Sequence, residues 1–120
     1  MKYMIMMFGD TETMMRERTP EWIREMIAFM EKFGEKLTAS GEFAAGEGLV
    51  DPSLAKKIHV QNGQVVATDG PFAEAKESLA GYYIVDVADE ARAIELAKEI
   101  VEFTGEPLEV RLVADAPPEV

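Results

Sequence analysis

The sequence predicts one small α+β domain in which an antiparallel β-sheet carries two helices on a single face. Three observations lead there. Two stretches repeat apolar residues at three- and four-residue steps, and several short apolar runs have the length of strands. The order along the chain is strand, helix, strand, hairpin, strand, helix, strand. The 120 residues suit a single domain, 1–120, large enough to bury a core without cross-links.

Residues 2–8 (KYMIMMF) are apolar at nearly every position, as in a strand covered on both faces. Gly9 and Asp10 end it, and the following residues, with Met14 and Met15, read as a flexible loop. Thr19-Pro20 opens a helix, because Thr accepts a first-turn N–H and Pro lacks the donor that would go unused there. Trp22, Met26, Met30, Phe33 and Leu37 form one wide stripe, with Ile23 and Ile27 beside it. Gly41 stops the helix. The segment EFAAGEGLV (42–50) reads as a bent strand whose glycines permit a bulge or a close backbone approach. Residues 56–61 and 64–68 flank Asn62-Gly63, the sequence of a type I′ hairpin turn. A charged connection, DGPFAEAKESL (69–79), leads to the apolar strand AGYYIVDV (80–87). Asp89 caps a second helix with Ile94, Ala97, Ile100 and Val101 facing inward, closed by Gly105 and Pro107. LEVRLV (108–113) alternates, Leu108, Val110 and Leu112 against Glu109, Arg111 and Val113, and residues 114–120 form a frayed tail.

This β-α-β-(hairpin)-β-α-β order is the split βαβ, or ferredoxin-like, pattern with an inserted hairpin. Both crossover helices fall on one side of the sheet. The other side stays bare, although strands 2–8 and 80–87 are apolar on both faces. A bare apolar face of that size is rare on a monomer, and the same face of a second subunit covers it most simply, which predicts a homodimer.

Composition narrows the function. There is no cysteine and a single histidine, so thiolate chemistry, Cys-ligated metals and a multi-His metal site within one subunit are excluded; neither a metal nor an organic cofactor is expected. The net charge of −11, from 23 acids and 12 bases without a basic stripe, disfavours direct nucleic-acid or membrane contact. No apolar run is long enough for a leader or a membrane span, which predicts a cytoplasmic protein. All eight methionines lie within the first thirty residues, where adaptable core filling is their plain role and a deformable apolar pocket for a hydrophobic ligand, with Met14 and Met15 in a flexible loop, is the functional alternative.

The segment DGPFAEAKE (69–77), followed by Gly81-Tyr82-Tyr83, resembles the signature of the DGPF family, part of the YCII-related proteins. Asp69, Gly70, Pro71, Phe72, Glu74, Lys76 and Glu77 all match, and GEGL (46–49) and EVR (109–111) are similar to that family's flanking motifs. The resemblance implies a dimeric α/β barrel made of two sheets packed face to face. It also implies two functional readings. One is a cofactor-independent enzyme acting on a small organic molecule through acid and base residues. The other is a non-catalytic ligand-binding or regulatory partner, linked to an alternative sigma factor.

Asp69, Glu74 and His59 are the candidate acid–base residues. Phe72, Lys76, Glu77, Tyr82, Tyr83 and Arg111 are the candidate ligand-binding residues. Asp69-Gly70-Pro71 also has a purely structural reading as a turn in which Asp accepts backbone N–H groups and Phe72 anchors the loop. Glu74, Lys76 and Glu77 bring both charge signs to a loop on a rigid scaffold, where sites usually sit; the alternative is a surface ladder of small energetic value. His59 is the only imidazole and falls on the more polar face of a hairpin strand, where a lone histidine is ordinarily just a strand residue; histidine is also the natural proton shuttle, and related proteins outside the DGPF branch carry a His–Asp pair thought to be catalytic. Tyr82 and Tyr83 offer apolar bulk with a polar tip, and Arg111 a forked donor for a carboxylate, for Glu109 or for a dimer partner.

Overall fold

Strand β1 (Lys2–Phe8) runs through the interior of a four-stranded sheet in the computed structural model, which describes residues 1–70 and 77–119. Its neighbours are β5 (Leu79–Asp86) and β6 (Leu108–Leu112), and β2 (Phe43–Gly48) pairs with the far side of β5, giving the order β2-β5-β1-β6. Every pairing is antiparallel. The architecture is α+β and compatible with the split βαβ pattern. Among the described residues the inserted strands β3 (Lys56–Gln61) and β4 (Gln64–Asp69) pair only with each other. Their turn has positive φ at both Asn62 (52°) and Gly63 (78°), the geometry that Asn-Gly supplies at low cost.

Helices α2 (Pro20–Ser40) and α3 (Glu90–Thr104) cover one face of the sheet. Thr19 and Asp89 accept the N–H groups of Trp22 and Arg92, and Gly41 and Gly105 end the two helices in the left-handed conformation. The core lies between the layers: Tyr3, Ile5 and Val85 from the sheet meet Phe33 and Leu37 of α2 and Ala93, Leu96, Ala97 and Ile100 of α3. An aromatic series ties α2 to α3 and to the sheet. Trp22 lies 5.6 Å from Phe103, Phe103 stacks on Phe29 at 4.8 Å, Phe29 stacks on Phe33 at 5.9 Å, and Phe33 meets the edge of Tyr83 at 5.2 Å.

Three expectations are corrected. Residues Thr11–Glu17 form a helix, α1, so Met14 and Met15 do not lie in a flexible loop. Asp10 caps it by accepting from Thr13 N at 2.6 Å, and Asp51 reaches across to accept from Thr11 N and Glu12 N at 3.0 and 3.2 Å. The acceptor that completes this cap lies forty residues away, beyond the reach of a local reading. In α3 the inward face is shifted: Ala93 and Leu96 are buried, whereas Ile94 is 38% exposed. In α2, Ile27 is exposed at the edge of the stripe.

The sheet face away from α2 and α3 is built in two rows. One runs Ala45, Ile84, Met4, Arg111; the other runs Glu47, Tyr82, Met6, Glu109. Apolar side chains occupy the centre and charged ones the margins. The molecule measures 50 × 48 × 20 Å, and its thinnest dimension has room for one sheet and one helix layer.

Candidate functional site

A cleft of about 410 Å³ opens where β2 leaves the sheet. Leu49, Val50, Asp51, Pro52 and Ala55 form one wall, and Glu77, Ser78 and Leu79 form the other. Backbone bonds fix both walls. Leu49 N donates to Ala80 O at 2.8 Å, Gly9 N donates to Ser78 O at 2.8 Å, and Gly70 N donates to Ala55 O at 3.2 Å. Gly81 lets β2 come close, since a Cβ there would lie 3.0 Å from the Glu47 carbonyl oxygen.

The lining is mainly apolar, with two carboxylates in different states. Asp51 caps the short 3₁₀ turn Pro52–Leu54: its Oδ2 accepts from Ser53 N at 3.0 Å while Oδ1 serves α1. Bonds from Ser53, first from its side chain and then from its backbone, followed by those from Glu12 and Thr11, lower the Asp51 pKa. Its oxygens are thus committed to holding the wall. Glu77 is exposed and lines the cleft. A second opening, about 460 Å³, lies between α2 and β2 beside Gly34, Glu35, Thr38, Ala39 and Phe43.

The candidate residues from the sequence fall in several places. Asp69 ends β4 with its side chain 88% exposed and ion-paired to Lys56, its cross-strand neighbour. Phe72, Glu74 and Lys76 lie outside the described residues. His59 pairs with Val66 across the hairpin, and its Nδ1 is buried without a hydrogen-bond partner among the described residues. Tyr82 and Tyr83 point to opposite sides of the sheet. Tyr82 joins the open face, whereas the Tyr83 hydroxyl donates to Met30 O at 3.2 Å in the helix layer, where burial raises its pKa. Arg111 stands on the open face with Tyr82 and ion-pairs with Glu109 at 3.1 Å. Of the candidates, then, Glu77 meets the cleft and Tyr82 and Arg111 share the open face. Among the described residues no three His, Asp or Glu side chains converge to hold a metal ion, and no helix is long and apolar enough to cross a membrane.

Sequence reasoning missed Asp51 and Leu49 as wall residues. Asp51-Pro52-Ser53 carries a usable signal, a capping residue followed by Pro at the first helical position. It also missed the Glu42–Arg92 pair, whose members come together only when α3 folds against the α2–β2 corner.

These elements define an α+β domain with one helix-covered sheet face, one open apolar face and a cleft at the sheet's end. The YCII-related domain model matches residues 1–115, and the chain belongs to that family. An uncharacterised protein of Rhizobium meliloti (strain 1021) is similar to it, 28% identical over 103 residues that make up 83% of this chain and 80% of that protein. The family membership expected from DGPFAEAKE and GEGL is thereby borne out.

Proposed function

We propose that this protein binds a small organic molecule in the cleft between Leu49–Ala55 and Glu77–Leu79, as a homodimer in which two open sheet faces pack into a dimeric α/β barrel. One observation carries the ligand reading. The end of GEGL and the end of the DGPF segment, over twenty-five residues apart in sequence, meet as opposite walls of one cleft. Its volume of about 410 Å³ lies within the range of small-molecule sites, and a mainly apolar lining with few polar groups is their usual chemistry. Leu49, Val50 and Leu79 select an apolar body. Glu77 supplies a proton acceptor or donor at the rim, and Asp69, Glu74 and His59 are the further acid–base candidates for a cofactor-independent reaction. The open face with Met4, Met6, Tyr82 and Ile84 supports the dimer.

The test is a melting-shift screen of small aromatic and aliphatic acids, amines and ketones on the parent, on Glu77→Gln and on Leu49→Glu. A ligand that raises the parent's Tm, with the shift lost in Leu49→Glu and weakened in Glu77→Gln, supports the site. A ligand whose shift survives in both variants binds elsewhere and defeats it. With no shift from any compound, the regulatory-partner reading takes precedence.

A further inference from the structure

The junction between β1 and α1 is bonded to both walls of the cleft. Gly9 N donates to the carbonyl oxygen of Ser78 at 2.8 Å, on one wall. Just beyond it, Thr11 N and Glu12 N donate to Asp51 Oδ1 at 3.0 and 3.2 Å, on the opposite wall. Residues 9–12 therefore tie together two segments that lie far apart in sequence. Asp10, between the two contacts, accepts from Thr13 N at 2.6 Å, so the helix begins at the junction itself. Gly9 has φ 146°, a backbone conformation that glycine alone adopts readily. A Cβ there would meet nothing within 4 Å, so glycine is needed for the backbone angle and not for space.

Helix α1 is lightly seated. Among the described residues none of its seven is buried. Its far end is held by Arg18, whose Nη2 donates to Thr104 O at 2.9 Å and to Glu106 Oε1 at 3.2 Å, with the guanidinium 4.2 Å over the Trp22 ring. A helix this short is not stable in isolation. Its order comes from its end contacts, one end at the cleft and the other at the end of α3. Elements held in this way are the first to open locally.

We infer that α1 and the Gly9–Glu12 junction form a strap that regulates the cleft. Docked, the strap holds the two walls at a fixed spacing; released, it lets the Leu49–Ala55 wall loosen. The inference rests on the cleft reading above and supplies its control. Asp51 is the positioning residue. Its Oδ2 accepts from Ser53 N at 3.0 Å and organises the wall's own turn, while Oδ1 holds the strap. One carboxylate thus joins wall and helix, and neither shifts without breaking a charge-assisted bond. The coupling is reciprocal: whatever favours the formed cleft favours docked α1 by the same factor.

The test melts α1 at a residue that lines neither wall. Met15 is 60% exposed within the helix, and Met15→Pro removes a helical N–H and clashes with the preceding turn. Amide exchange is compared with the parent at Leu49, Ser53 and Leu54, with α3 as the control. Exchange at those wall amides that is about tenfold faster or more, with α3 unchanged, supports the strap. Parent-like exchange there, while the amides of α1 exchange freely, overturns it. Should Met15→Pro leave α1 protected or unfold the chain, Asp51→Ala decides at the opposite wall. Faster exchange of the Gly9 N–H that bonds Ser78 then supports the strap, and exchange at the parent's rate overturns it. No ligand enters this comparison, so a failed melting-shift screen defeats the cleft reading by itself, and a failed exchange test defeats the strap by itself.

Discussion

Glu42 closes the α2–β2 corner with both carboxylate oxygens occupied. Arg92 Nε donates to Oε2 at 2.8 Å and Nη2 to Oε1 at 2.9 Å, while Ser40 Oγ donates to Oε1 at 2.7 Å. The Arg92 bonds, joined by Ser40 and opposed by burial, bring the Glu42 pKa from 4.5 down to about 2. A folded-state pKa below the unfolded one stabilises fully above the unfolded value, and the stabilisation is lost as pH falls from about 4.5 towards 2. Thermal melts between pH 6 and pH 2 should therefore show a smaller acid loss for Glu42→Gln than for the parent. Arg92→Leu at neutral pH should cost about 2 kcal/mol, because a half-buried carboxylate loses its forked donor, or about 8 °C in Tm. Equal acid slopes for parent and Glu42→Gln would count against the pair. At this scale the sequence was legible wherever a residue's role is set by its immediate neighbours. Asn62, Gly63, Thr19 and Gly41 stand as expected. Arg92 was not legible, because its partner lies fifty positions away.

Helix α1 depends on an acceptor borrowed from another element. Asp51, in the 3₁₀ turn, takes the N–H groups of Thr11 and Glu12 that a seven-residue helix cannot satisfy itself. In Asp51→Ala, amide exchange at Thr11 and Glu12 should accelerate while amides in α3 stay as slow as in the parent. Unchanged exchange at those two residues would show that Asp10 suffices as the cap. The long elements were readable because their signals accumulate: α2 has twenty-one residues, a cap at each end and a stripe between. Helix α1 has too few residues for a stripe, and the inward face of α3 is set by how the helix seats on the sheet, with Ala93, Leu96, Ala97 and Ile100 buried and Ile94 at the edge.

At the scale of the whole molecule, the open sheet face was foreseeable from strands apolar on both sides. The cleft was not, since it exists only where three separated backbone segments bond together. The proposed dimer predicts a sedimentation mass near twice 13.3 kDa at micromolar concentration. Met6→Lys, in the centre of the open face opposite Tyr82, should dissociate it without disturbing the helix-side core of Tyr3 and Ile5. A Met6→Lys protein that remains a tight dimer would move the interface elsewhere.

The chain's single tryptophan sits in the helix layer, with the Arg18 guanidinium 4.2 Å above its ring and Phe103 beside it. Its fluorescence is therefore an optical gauge of the α2–α3 seam. It has no chromophore counterpart in the hairpin, whose strands hold neither Trp nor Tyr. Emission and far-UV circular dichroism consequently sample different parts of one chain during denaturation. Coincident midpoints mean that seam and hairpin melt as a unit. A dichroism change that precedes the emission change marks the hairpin as a separate cooperative unit, with its own lower opening free energy.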